Sequence, residues 1–333
     1  MRAVARLILP GLALAALAGV ASAPISVFAQ DGASRQLAQA NADLQAGEAD
    51  QALALLSTLA KPGGPAEAYN LKCRVELTLE DWDRAVGDCE QAVKLDGKNS
   101  DDHLWLGRAL GEKASRASFV SAYSLGKRVR IEFEEAVRLN PRNGPALSDL
   151  GQFYYSAPGF MGGGVDKAAA VAAQLDRFDP VRGHELRAQI AEQGKNDATA
   201  EQELKLAIAA STHPASQWME LAGFYAHRGH WTEMETALRN GENAAQRDKR
   251  AGAALFDGAS VLIRAKRDQN QAARMLEDYL ASSAKTEQAP AFVAHTTLAR
   301  LELQLGDAAK ASRDRAAALA MAHEYKPAQA LKH

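Results

Sequence analysis

The chain has 333 residues, 39 Lys+Arg against 41 Asp+Glu for a formal net charge of −2, and 47% hydrophobic residues. That balance excludes a general polyanion binder, a disordered acidic tail and a chain disordered throughout. Aromatic residues are only 6%, alanine is abundant and long β-branched runs are absent, so an all-α protein is expected, with Ala allowing close helix approach.

Residues 1–29 have the pattern of a secretory signal peptide. Arg2 and Arg6 precede the apolar run Leu7–Val20, and Val27-Phe28-Ala29 before Gln30 is the cleavage site. Cutting after Ala21-Ser22-Ala23 would leave Pro24 next, which is unfavourable. The rival, an uncleaved anchor, needs a longer apolar run without Pro10. No later stretch could cross a bilayer, so the mature chain is expected to be exported, periplasmic (secreted as the lesser alternative) and not membrane-embedded. In an oxidising compartment its two cysteines, Cys73 and Cys89, suggest a disulfide, the competing reading being two free buried thiols that act as small apolar packing residues. Their separation fits no metal-ligand spacing, and neither a metal nor a cofactor is expected.

The clearest internal unit is Trp218-x2-Leu221-Ala222-x2-Tyr225 followed by Gly229. These fall at unit positions 4, 7, 8, 11 and 15, and the first four share one helix face. A second-helix pattern, small at 20, bulky at 24 and small at 27, appears as Ala85, Cys89 and Ala92. It returns as Phe133 and Ala136, followed by Pro141. At these residues the chain resembles the tetratricopeptide-repeat (TPR) family. The resemblance implies a right-handed solenoid of about eight antiparallel helix hairpins, each needing its neighbour to cover an apolar face.

Carried along the chain, the register gives hairpins near 33–66, 66–99, 100–143, 144–182, 181–214, 215–248, 253–286 and 292–325. They group as N-terminal repeats (30–143), central repeats (144–214) and C-terminal repeats with a tail (215–333). Repeat one lacks large residues at positions 4, 7 and 11, which suits an N-terminal cap. Repeats three and four exceed the 34-residue period, and both are expected to carry lengthened inter-helix loops, within Ala114–Lys127 and at Ala157–Gly164 (APGFMGGG). Cys73 and Cys89 hold positions 8 and 24, equidistant from Asp81, the expected N-cap at the turn. Packed helices would place their Cα atoms about 4–6 Å apart, within disulfide range.

The concave face of such an array is lined by first-helix positions 2, 5, 6, 9, 12 and 13. Arg74, Arg108 and Gln152 hold position 9 of consecutive repeats, with Asn70, Trp105 and Tyr155 nearby. Arg and aromatic side chains are favoured interface anchors, so these six form the candidate partner groove. The Lys/Asn clamp of chaperone-binding TPR proteins is absent: the corresponding residues are Asn70, Arg74, Trp105, Pro145 and Asp149. GFMGGGVDK (159–167) lacks the Gly-Lys-Ser/Thr ending of a phosphate loop. His227 and His230 have no clear third metal ligand, and Lys127-Arg128-x-Arg130 is too small a basic surface for nucleic acid. No catalytic arrangement emerges, and no enzymatic activity is expected. The expected function is a scaffold that binds a protein or peptide in its groove. The alternative is a small-ligand or solute-binding accessory protein of a transport system, with its pocket beside the APGFMGGG loop.

Overall fold

The structure, a computed structural model, describes residues 25–332, with side chains from Gly32 onward. Residues 1–24 of the expected signal peptide lie outside this range. Among the described residues the chain is a run of α-helices with no β-strand. They pair as α1 (Ile25–Ala46) with α2 (Ala49–Leu59), α3 (Ala66–Thr78) with α4 (Trp82–Leu95), α5 (Ser100–Ser115) with α6 (Phe119–Leu139), and α7 (Gly144–Ser156) with α8 (Val165–Leu175). The series continues with α9 (Pro180–Gln193) and α10 (Asp197–Ala210), α11 (Ala215–His227) and α12 (Trp231–Arg247), α13 (Gly252–Ala265) and α14 (Gln269–Ala281), and α15 (Ala291–Leu305) and α16 (Ala308–Met321). A short α17 (Lys326–Gln329) ends it. The eight expected hairpins are these eight pairs.

The helix starts are written locally. Asp81, Asn143, Asp179, Asn196 and Asp307 each accept a hydrogen bond from a backbone N–H three residues on, satisfying an otherwise unpaired donor. Small residues then set the spacing within hairpins. A Cβ on Gly107, at position 8, would stand 2.4 Å from the Phe133 ring, so only glycine lets that ring lie flat on α5.

One expectation needs correction. The extra residues of repeat three do not form a loop. α5 runs to Ser115 and α6 starts at Phe119, so the insertion lengthens the helices and the turn between them stays short. Nothing within 119–127 breaks a helix, and Gly126 is buried against Met161 rather than forming a bend. In repeat four, Pro158 and the glycines do form a loop, with one 3-10 turn at Gly159–Met161.

Cys73 and Cys89 are joined by a disulfide with Cα atoms 5.3 Å apart, both fully buried. The bridge ties α3 to α4 across a short loop, for which chain-entropy reasoning gives about 2–3 kcal/mol. Denatured, unreduced protein from an oxidising compartment should therefore titrate no free thiol, and reduction should lower its melting temperature. Two titratable thiols would contradict the bridge.

The array does not end in free caps. The outer faces of α1, α2 and α3 share one core with the last hairpin: Leu37, Leu44, Leu56, Leu71 and Val75 pack with Phe292, Ala318, Tyr325 and Ala328. Phe292 and Tyr325 meet edge to face at 4.9 Å. The polar border of this seam includes Arg84 with Glu324 (2.8 Å) and the His323 backbone N–H donating to Asp50 (2.9 Å). At Gly47 the backbone has φ +84°, and a Cβ there would lie 2.5 Å from the Ala291 nitrogen. Repeat one is thus a closing surface and not the expected N-terminal cap. Hairpin eight packs on its apolar face, and the solenoid closes into a ring.

Candidate partner-binding cavity

The ring surrounds an open central cavity of about 1340 Å³. Its wall draws on hairpins two, three, four, five, seven and eight. Four of the six expected groove residues, Arg74, Trp105, Arg108 and Gln152, lie on that wall. Two guanidinium groups lie over Trp105: Arg74 is 5.0 Å and Arg108 4.6 Å from its ring centroid. Each cation is also matched by a carboxylate. Arg108 Nε donates to Asp149 at 2.6 Å. Arg74 donates through Nε and a terminal nitrogen to the two oxygens of Glu287, both at 2.9 Å. These bonds hold the indole in place before any partner arrives, and such preorganisation favours affinity.

The structure places the other two elsewhere. Asn70 is buried and donates to Asp102 Oδ1 at 2.7 Å, joining α3 to α5. Burial raises the Asp102 carboxyl to about 6 despite that bond. Tyr155 is not on the cavity wall; its hydroxyl donates to Gln189 at 3.4 Å, joining α7 to α9.

Glu287 was not foreseen as a wall residue. It lies between α14 and α15 and meets Arg74 across 213 residues of sequence. Tyr279 positions this segment. Its buried hydroxyl donates to the Ala289 carbonyl and accepts from the Thr286 N–H. The Glu287 N–H then donates to Gln45 of α1 at 3.2 Å. Tyr279 holds position 27, normally small, and that departure was the one legible sign of an unusual segment.

A second, acidic stripe runs along α9, α11 and α13, and its carboxylates are not among the residues lining the cavity. Glu185, Glu220 and Asp257 hold concave positions 5, 6 and 5 of repeats five, six and seven. Glu220 and Asp257 are exposed at the surface, yet many protein atoms surround their carboxyl groups. Burial raises the Glu220 carboxyl to about 8, reinforced by the charges of Glu185, Asp257 and Glu192 and opposed by Arg182. Asp257 is raised to about 6, chiefly by burial. Gln217 donates to Glu185 at 2.9 Å.

The remaining histidines with ring partners include three in one structural pattern. His103, His184 and His295, all at position 4, pair with Glu132 (2.6 Å), Glu203 (2.7 Å) and Asp314 (2.6 Å) of their second helices. His227 ends α11 and His230 precedes α12. Among the described residues no group of three His, Cys, Asp or Glu side chains converges as a metal set.

No protein-family model and no curated protein matches the chain. Among solved structures it is similar to a thermophilic TPR protein of Thermus thermophilus, at 18% identity and TM-score 0.50, covering 58% of this chain and 98% of that one. It is also similar to the APC/C hetero-tetramer Cut9-Hcn1, at 15% identity and TM-score 0.41, covering 91% of this chain and 57% of that one. The second likeness is too distant to support an argument, and the first speaks to fold and not to partners. With eight consecutive helix pairs and the small-residue spacing inside them, the chain has the tetratricopeptide-repeat fold.

Proposed function

We propose that the protein is an exported scaffold that holds an extended, basic segment of a partner protein inside its ring. The observation that carries this reading is the Arg74–Trp105–Arg108 cluster on the wall of the central cavity. A rigid aromatic plane flanked by neutralised cations suits an interface anchor. The size of the cavity also bears on the choice. Small-molecule sites occupy about 300–1,000 Å³, and this one is larger and drawn from six hairpins. A polypeptide segment fits better than a small solute. Carboxylates at the concave positions of α9, α11 and α13 favour Lys or Arg in that segment.

The test is capture from periplasmic extract by tagged mature protein. The reading expects a protein that competes with an added basic peptide. A small molecule retained through native mass spectrometry, with no protein captured, would contradict it.

The carboxylates give the binding a pH dependence. Glu220 sits above its ordinary 4.5, so the folded ring keeps that proton to higher pH than the unfolded chain does. Stability from this group is full below about pH 4.5 and falls as the pH rises to about 8. A cationic segment binds the deprotonated form. Its affinity should therefore rise between pH 6 and 8, with proton uptake by buffer visible in calorimetry. A flat profile would remove Glu220 from the site.

Export is part of the same proposal. A cut after Ala29 would leave the buried residues of α1, Leu37, Ala40 and Leu44, in place. N-terminal sequencing of protein from the soluble periplasmic fraction should begin near Gln30.

A further inference from the structure

Hairpin three extends past its neighbour in a way the stacking of repeats does not require. α6 begins fourteen residues before Phe133, whereas α4 begins seven before Cys89, its counterpart at position 24. At 1.5 Å per residue the tip of α6 projects about 10 Å beyond that of α4. The projecting turn carries Phe119 and Val120, which are 82% and 77% exposed. One turn on, Tyr123 stacks on Phe160 of the glycine-rich loop, with centroids 6.0 Å apart, and Phe160 is itself 67% exposed. Apolar side chains this bare and this close together mark an interaction surface.

We propose that this edge docks on an anionic lipid surface. Phe119 and Val120 are adjacent, so they point about 100° apart around the helix. A flat protein face would cover one of them, whereas a fluid medium covers the tip on every side. Charge agrees with this choice. Residues 113–131 contain five Lys or Arg and no Asp or Glu. Lys113, Arg116, Arg128 and Arg130 are paired with Asp83, Glu112, Glu90 and Glu134 of flanking positions. Lys127 instead lies 4.4 Å over the Tyr123 ring, and Lys167 donates to the Gly162 carbonyl. Neither cation has a carboxylate partner among the described residues: Lys127 lies about two turns from the tip on α6, and Lys167, next to Asp166, reaches the loop that carries Phe160. The arrangement is that of an interfacial anchor, with aromatic side chains at the boundary and Lys at the headgroups. It lies on the membrane and does not span it: no helix among the described residues is long and apolar enough to cross.

The test is co-sedimentation of mature protein with vesicles of phosphatidylcholine alone or mixed with phosphatidylglycerol. Binding to the anionic vesicles should exceed binding to phosphatidylcholine at least tenfold. Phe119→Ser with Phe160→Ser should reduce it at least tenfold while leaving the thermal melt unchanged, because both side chains are exposed. Lys127→Glu with Lys167→Glu should abolish the preference for anionic lipid. Absence of vesicle binding, or binding indifferent to both double variants, would overturn the proposal. So would a concentration-dependent dimer that the Phe119→Ser, Phe160→Ser variant dissolves, since a second copy would then be what covers the tip.

Discussion

Phe292→Ala should destabilise the mature protein by about 3–5 kcal/mol, the range for truncating a fully buried phenylalanine, and should also open the ring. Phe292 is 1% exposed and sits in the core shared by hairpins one, two and eight. In an open solenoid a residue of the last hairpin touches only its neighbour, and its loss is local. Here the side chain bridges the two ends of the array, so its removal leaves a cavity in the seam itself. Denaturant unfolding measures the energy. Phe133→Ala, inside hairpin three, is the control: it should destabilise comparably without separating the ends. A loss below about 1 kcal/mol for Phe292→Ala would mean that the seam contributes little.

Trp105→Ala should weaken partner binding about thirtyfold or more, the equivalent of at least 2 kcal/mol at an aromatic interface anchor. Stability should change far less. Arg74 and Arg108 lose their contact with the ring but keep Glu287 and Asp149, so no charge is left unpaired. Trp105→Phe should recover part of the affinity, since it restores an apolar plane for both guanidinium groups. Titration of the captured partner against the three proteins reads this directly. Equal affinity across them would remove Trp105 from the site.

The hairpins were legible because their signals are local. Small residues at positions 8 and 20 and bulky ones at 7 and 24 repeat within a window of one unit, and Cys73 and Cys89 lie within such a unit. The wall residues Arg74, Trp105, Arg108 and Gln152 followed from their register alone. Asn70 and Tyr155 occupy comparable positions, but Asp102 and Gln189 claim their polar atoms. Those pairings join one repeat to the next, and register within a single repeat does not carry them. The insertion of repeat three was visible as length, yet 114–127 contains no proline and helix is its natural state. Closure was out of reach for a different reason. It depends on the small rotation from each hairpin to the next, summed over the array, and no single residue carries that sum. The acidic stripe was available in principle, since Glu185, Glu220 and Asp257 hold concave positions of consecutive repeats; the upward shift of Glu220 and Asp257 comes from the surrounding protein and is not carried by the register.

The central claim is that the first and last hairpins touch. Spin labels at Gln51 on α2 and Lys326 on α17, both exposed, flank the contact of Asp50 with His323, whose side chains approach to 2.8 Å. Double electron–electron resonance on the mature, disulfide-bonded protein should give one short, narrow distance. Seven hairpin steps of about 9 Å in a straight stack would instead separate the labels by about 60 Å, and a distribution centred there would contradict the closed ring.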